Sequence, residues 1–301
     1  MAQILPLPVE KREKPISVIM VSYLTGPALL EAINAVMADD DIFELILVDN
    51  GNTLEARKRL SDVVAQHSRI RLLQGHGNIG FSRACNYGAN LARGEYILFL
   101  NPDALISPGA ARKMANCGKK LTAPWITGGM LRNVNGQEQR GGRRGELTPL
   151  SALVSFTPLH WLPFFKSIHK ETEDLPQDAQ ACPTVSGACL MMSRASFGRL
   201  DGFDEDYFLH VEDIDVCRRA REQGGEVYFV PQATVMHYGS TSQVRRQKVE
   251  WEKLKGFTLY FHKHSKTIFG KVMTYLAWPF MAFAIMGRAW YLAIRAAVIG
   301  R

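Results

Sequence analysis

The chain has 301 residues, 47% hydrophobic and 22% charged, enough to bury a sizeable core and too apolar for a disordered polymer. Its five cysteines, Cys85, Cys117, Cys182, Cys189 and Cys217, contain no C-x-x-C pair, which excludes a disulfide scaffold or a zinc ribbon and fits a reducing cytosol. The net charge of +7 is uneven: from Thr241 onward eleven Lys or Arg face two Glu, a local +9 that leaves the rest near −2.

Met1 to Pro15 holds no apolar core of leader-peptide length, so the expectation is a protein that stays inside the cell. Ile16–Val21 reads as a strand, followed by a loop and a helical pattern through Met37. The alternation repeats with strands at Leu45–Val48, Ile70–Leu73 and Tyr96–Leu100 and helices near Leu54–Gln66 and Phe81–Leu91, the pattern of a parallel sheet covered on both faces. Such sheets bind ligands beyond the carboxyl ends of their strands. Ser22, Tyr23, Asp49, Asn50, Asn101 and Asp103 stand at those ends. Ser107 and Pro108 read as the cap and first turn of a helix to Leu121.

Beyond this helix the alternation decays. Asn133–Gly145 is a loop rich in Gly and Arg, and Leu150–Ile168 is apolar without a clear period, carrying Trp161, Phe164 and Phe165. Pro183–Ser193 resumes as a strand, Asp213–Arg221 reads as a helix, and Val227–Val230 and Ala233–His237 are short strands. These elements make a domain over 15–242, with a basic, apolar helical segment over 243–301. In that segment about sixteen uncharged residues lie between Lys271 and Arg288, short of the roughly twenty needed for a span. With Trp278, Trp290 and Tyr291 as interfacial aromatics, it reads as a helix lying on an anionic membrane surface and broken at Pro279. Cations flanking an apolar tail argue against nucleic acid as the partner.

Gly75-His76-Gly77-Asn78-Ile79-Gly80 matches the dinucleotide-binding G-x-G-x-x-G, which raises an NAD-dependent oxidoreductase as an alternative. In that fold the glycines follow the first strand, whereas these follow the third. A larger set of motifs runs in order along the chain: Val21-Ser22-Tyr23, Val48-Asp49-Asn50, Asn78 to Asn86, Leu100-Asn101-Pro102-Asp103, Ser186-Gly187-Ala188, Gly202-Phe203-Asp204-Glu205, Glu212-Asp213-Ile214-Asp215 and His237-Tyr238-Gly239. With these the chain resembles a family 2 glycosyltransferase of the GT-A fold, and within it the bacterial rhamnosyltransferases.

The resemblance implies an α/β fold with a Rossmann-like mixed sheet and a membrane-associating C-terminal helical segment. It implies an inverting transfer of a sugar, L-rhamnose from dTDP-rhamnose, to a lipid-linked glycan at the cytoplasmic face of the bacterial inner membrane. Asp213 would be the general base. A divalent cation, Mg2+ or Mn2+, would be held by Asp103 and His237, with Asn101 standing where a D-x-D motif has its first acid. Asp49 would accept a hydrogen bond from a pyrimidine imide, with Ser22 and Tyr23 walling that pocket and Asn50 beside them. Asn78, Gly80, Phe81 and Arg83 would line the donor cleft, the arginine reaching phosphate. Gly187 and Ala188 would leave room for the acceptor, Glu212 would orient it or, like Asp215, anchor the helix, and Lys263 would meet its phosphate. A catalytically silent membrane scaffold of the same fold is the further alternative.

Overall fold

The computed structural model describes residues 15–156, 167–239, 241–242 and 244–299. The N-terminal stretch before Pro15 and the aromatics Trp161, Phe164 and Phe165 lie outside the described residues.

The first half alternates as its pattern requires: β1 (Ile16–Ser22), α1 (Ala28–Met37), β2 (Ile42–Asp49), α2 (Leu54–Ala65), β3 (Ile70–Leu73), α3 (Phe81–Asn90), β4 (Tyr96–Leu100), β5 (Ala104–Ile106), α4 (Ala110–Gly118) and β6 (Ile126–Arg132). There follow β7 (Arg143–Arg144), α5 (Pro149–Phe156), β8 (Gln180–Ala181), β9 (Thr184–Val185), β10 (Cys189–Ser193), α6 (Arg194–Arg199), α7 (Glu212–Glu222), β11 (Val227–His237), α8 (Arg246–His264) and α9 (Ile268–Ile299). Among the described residues the main sheet has nine strands, ordered β3-β2-β1-β4-β10-β6-β11-β5 with β8 also on β11, and β7 pairs with β9.

The sheet is mixed. Strands β1 to β4 are mutually parallel, β10 runs against β4 and β6, and β6 and β11 are parallel. Reversing β10 brings its amino end, next to Ala188, to the same edge as the carboxyl ends of β1, β2, β4, β6 and β11. Strand β5 runs against β11 with Ala104 opposite His237, so Asp103 arrives beside His237.

Period-2 alternation fills both faces of the sheet. Val18, Met20, Leu45, Leu47, Leu98 and Leu100 pack toward α1, α2 and α4. Ile19, Val21, Ile46, Val48, Ile97 and Phe99 face α3, α6 and α7. A third cluster joins Val211 and Ile214 to Leu254, Phe257 and Tyr260 of α8 and Ile285 of α9.

The structure departs from the sequence reading at four places. Helix α4 begins at Ala110, not at Ser107, because Gly109 takes a left-handed φ of 72° and donates its N–H to Asp39. Pro183–Ser193 splits into β9 and β10 around Ser186–Ala188. Val227–His237 is one strand, its register shifting between Val230 and Thr234 where Pro231 has no amide to donate. Helix α9 runs through Pro279. The proline removes one donor, but Trp278, Met281, Ala282 and Ile285 on either side hold the helix against the α8 cluster.

The opposite side of α9 is also apolar: Phe269, Val272, Leu276, Phe280, Phe283 and Trp290 are exposed. Ile268–Gly287 is long and apolar enough to cross a membrane by length and composition.

Candidate active site

Two clusters form at the shared sheet edge, one around Asp103 and one around Asp213. The Asp103 carboxylate lies 3.1 Å from His237 Nε2 and accepts from Thr241 Oγ1 at 3.0 Å. Burial alone would raise the Asp103 carboxyl, but its contacts with His237 and Thr241 hold it below the ordinary carboxylate range. His237 Nδ1 faces Gln139 Oε1 at 2.6 Å, and Asn101 Nδ2 is 3.3 Å from Nε2.

Both ring nitrogens of His237 therefore face oxygen acceptors. A neutral imidazole has one N–H, so one contact sets lone pair against lone pair unless a positive charge sits there. With the proton on Nε2 the ring donates to Asp103, the contact that lowers that carboxyl; with the proton on Nδ1 it donates to Gln139 and turns an Nε2 lone pair toward Asp103. A carboxylate oxygen and an imidazole lone pair side by side fit a divalent cation. Among the described residues no further His, Cys, Asp or Glu completes a group of three with them.

Asp213 sits in the first turn of α7 and is buried. It accepts from the Gly187 N–H at 3.0 Å and the Ile214 N–H at 2.8 Å, and forms an ion pair with Arg144. Burial pushes its carboxyl up, but Arg144 and the Gly187 amide outweigh that and hold it below the usual range. A side chain on Gly187 would start 3.3 Å from the Asp213 Cβ, so the glycine lets this backbone reach the acid. The two clusters are joined: Ala188 O accepts from the Asn101 N–H at 2.9 Å. A single loop also supplies both Gln139, to His237, and Arg144, to Asp213.

The turn before α7 is strained. His210 and Val211 have φ of 68° and 75°, left-handed values costly for a β-branched residue. Val211 is buried against α8, and Gly256 lets that helix approach, since a Cβ there would lie 3.0 Å from His210 O.

The neighbouring acids diverge. Asp215 accepts from Arg219 Nε at 2.6 Å and lies 2.8 Å from His264 Nε2, so it anchors α7 to α8, and these partners hold its carboxyl low against the pull of burial. Glu212 is buried with Oε2 covered and without a hydrogen bond. Burial first, and then the charge of Asp213, raise its carboxyl well above the ordinary range. A raised folded-state pKa adds stability that is complete below the unfolded value and is lost as pH rises through the folded one. The depressed Asp103, Asp213 and Asp215 act oppositely, losing their contribution as pH falls through their folded values. Glu212→Gln should therefore raise the Tm relative to wild type at pH 8 and leave it nearly unchanged at pH 4, as thermal denaturation across that range would show.

Several expected donor contacts are placed differently. The Asp49 side chain is 0% exposed, taken up by the N–H groups of Gly51 and Asn52, the Asn52 amide and Arg57 at 2.9 Å. These bonds all fall on Oδ1 and close the turn after β2, while Oδ2, beside Arg57, has no hydrogen bond. Ser22 is likewise buried and bonded to Asn52, leaving Tyr23 half-buried at the surface. Asn50 ties β2 to the next loop through Asn78, Ile79 and Gly80. Gly80, at φ 90°, sits where a Cβ would strike Phe208, and Phe81 N–H donates to Phe208 O at 2.7 Å. Arg83 is exposed and paired with Glu205 at 3.3 Å. Lys263 binds Asp204 and Asp206, both at 2.6 Å, so its ammonium is already matched by two carboxylates.

Gln139, Arg144, Thr241 and Asn52 were missed from the sequence. For the first two the signal was present in the Gly- and Arg-rich loop, which had no other explanation. Thr241 and Asn52 carried no signal.

Residues 17–201 match the sequence profile of Glycosyl transferase family 2. The chain belongs to that family. This glycosyltransferase is 26% identical over 251 residues to the N-acetylglucosaminyl-diphospho-decaprenol L-rhamnosyltransferase of Mycobacterium tuberculosis, covering 76% of this chain and 77% of the relative. It is 25% identical over 221 residues to Rhamnosyltransferase WbbL of Escherichia coli K12, covering 70% and 77%. In structure the glycosyltransferase resembles the mannosyltransferase PcManGT from Pyrobaculum calidifontis in complex with GDP-Man and Mn2+, with a TM-score of 0.55, 15% identity, and 96% and 76% of the two chains covered. It also resembles GalNAc-T7 with UDP, GalNAc and Mn2+, with a TM-score of 0.57 and 16% identity over 76% of this chain and 44% of that one. The fold is GT-A, and the dinucleotide reading of Gly75–Gly80 falls away.

Proposed function

We propose that this glycosyltransferase moves L-rhamnose from dTDP-rhamnose, with inversion, to a lipid-linked glycan at the cytoplasmic face of the membrane. One observation carries the reading: an acid–imidazole pair (Asp103, His237) and a buried ionised acid (Asp213) share one sheet edge and are linked through Asn101 and Ala188. The first suits a departing diphosphate and the second a proton. The names of the mycobacterial and E. coli relatives both support rhamnose, and the mycobacterial one supports a lipid diphosphate acceptor.

Asp213 would accept the acceptor hydroxyl's proton as its oxygen attacks the anomeric carbon, and the electron pair of the broken C–O bond would leave with the nucleoside diphosphate. Asp103 and His237 would hold Mg2+ or Mn2+, which when bound supplies Lewis-acid relief of charge on the diphosphate. Tyr23, Asn78 and the Gly80–Phe81 turn would flank the donor. Residues 15–242 would form the catalytic domain, and 243–301 the segment that holds it at anionic lipid, α9 presenting its uncovered apolar face.

The test is a panel of nucleoside diphosphate sugars assayed for transfer with and without chelator. The highest turnover is expected with dTDP-rhamnose, and EDTA or Asp103→Asn should lower it by about 10²-fold or more. Turnover of a purine-linked sugar alone, or indifference to EDTA, would count against the assignment.

A further inference from the structure

The Arg144–Asp213 ion pair is at odds with base catalysis. A carboxylate held by an arginine and two backbone amides has its charge well satisfied and is a weak proton acceptor. Both amides belong to the fixed backbone of Gly187 and Ile214, so the guanidinium is the contact that can be withdrawn. It is also incompletely used: one terminal nitrogen serves Asp213 and Val185 O, while Nε is covered and has no hydrogen-bond partner. His210 Nε2, in the strained turn beside it, is equally covered and unpartnered. Lys253 of α8 adds a second cation: burial first, then Lys253 and Arg144, disfavour a charge on His210, with Asp213 opposing. The other titratable groups around Asp213 are Glu212, Asp215 and Cys217 on its own helix. The carboxylates nearest Asp213 are thus on α7, the unspent N–H groups come from Arg144 and the turn, and the α8 cation Lys253 lies 3.5 Å from Glu250 of its own helix.

We propose that Arg144, with His210 and Lys253 around it, takes a phosphate or diphosphate ester of the acceptor, and that this contact draws the guanidinium off Asp213. It rests on the reading of Asp213 as base given above. The acceptor's own anion then switches the base on: the carboxylate loses its counter-ion as the hydroxyl arrives, takes the hydroxyl proton, and the new C–O bond forms as the C–O bond to the diphosphate breaks. Lys263, matched by Asp204 and Asp206, is not needed for this.

The experiment uses the full chain in detergent micelles with the donor site saturated by dTDP and Mn2+. Farnesyl diphosphate, inorganic pyrophosphate and farnesol are then titrated calorimetrically. Arg144→Gln should weaken farnesyl diphosphate and pyrophosphate at least tenfold and leave farnesol unchanged, with Arg144→Lys intermediate. His210→Asn, which tolerates the left-handed backbone, should weaken the same two ligands severalfold and serves if Arg144→Gln does not fold. Equal farnesyl diphosphate affinity in wild type and variant overturns the proposal alone, whereas failure of the wild type to bind dTDP overturns the dTDP-rhamnose reading given above. The pH profile reports the switch: in wild type the acid limb of kcat should lie at higher pH than that of kcat/KM, and in Arg144→Gln the two should coincide. Coincident limbs in wild type would refute the unlocking.

Discussion

Asp213→Asn should lower transfer by about 10²–10⁴-fold while the affinity for dTDP and Mn2+ stays at the wild-type value. The amide keeps the shape of the carboxylate and, with its single oxygen in the Oδ2 position, still accepts from the Gly187 N–H, giving up only the Ile214 N–H that the other carboxylate oxygen takes. What it loses is the capacity to take a proton. Asp213 makes no contact with Asp103 or His237, which is why donor binding should be spared. Steady-state rates alongside nucleotide calorimetry would check this. A variant with full turnover would remove Asp213 from the reaction, and one that lost dTDP binding in parallel would assign it to the donor. A catalytically silent scaffold predicts no loss at all.

Arg143→Ala should be strongly destabilising, costing about 3–5 kcal/mol. The side chain is 1% exposed, and its guanidinium forks onto Glu138 at 2.7 and 3.1 Å, donates to Glu173 O at 2.7 Å and lies 5.7 Å over the Phe229 ring. Truncation strands the Glu138 carboxylate at 11% exposure and leaves a hole beneath the loop. For a chain of this size that corresponds to roughly 5–8 °C in Tm. Thermal or urea denaturation measures it; a shift below about 2 °C would mean that water replaces the guanidinium without penalty. Glu138→Gln should be milder, since the arginine keeps its carbonyl and ring partners.

The early strands and helices were legible because each is local: Ile16–Ser22, Ile42–Asp49 and Tyr96–Leu100 alternate apolar residues to two covered faces, and Thr53 caps α2 with its own hydroxyl. Asp103, His237 and Asp213 were found because ordered motifs bring them to strand ends and a helix start. Harder to read were side chains whose partners lie far along the chain. Asp49 stands at a strand end, but its bonds to Gly51 and Asn52 and its pairing with Arg57 show only once the turn is folded. Lys263 looked free until Asp204 and Asp206 came beside it. Arg144 gave the opposite error, hidden in a segment without periodicity although it reaches the central carboxylate. The reversal of β10 depends on long-range pairing that no window of residues encodes.

The stretch from Glu138 to Arg144 touches the imidazole through Gln139 and the acid of α7 through Arg144, with Arg143 beside it buried in the core. On the proposed roles, a change at the ring that suits a new donor would reach the guanidinium beside Asp213 through the same stretch. Substitutions that swap one sugar for another would therefore have to come with compensating changes within these seven positions.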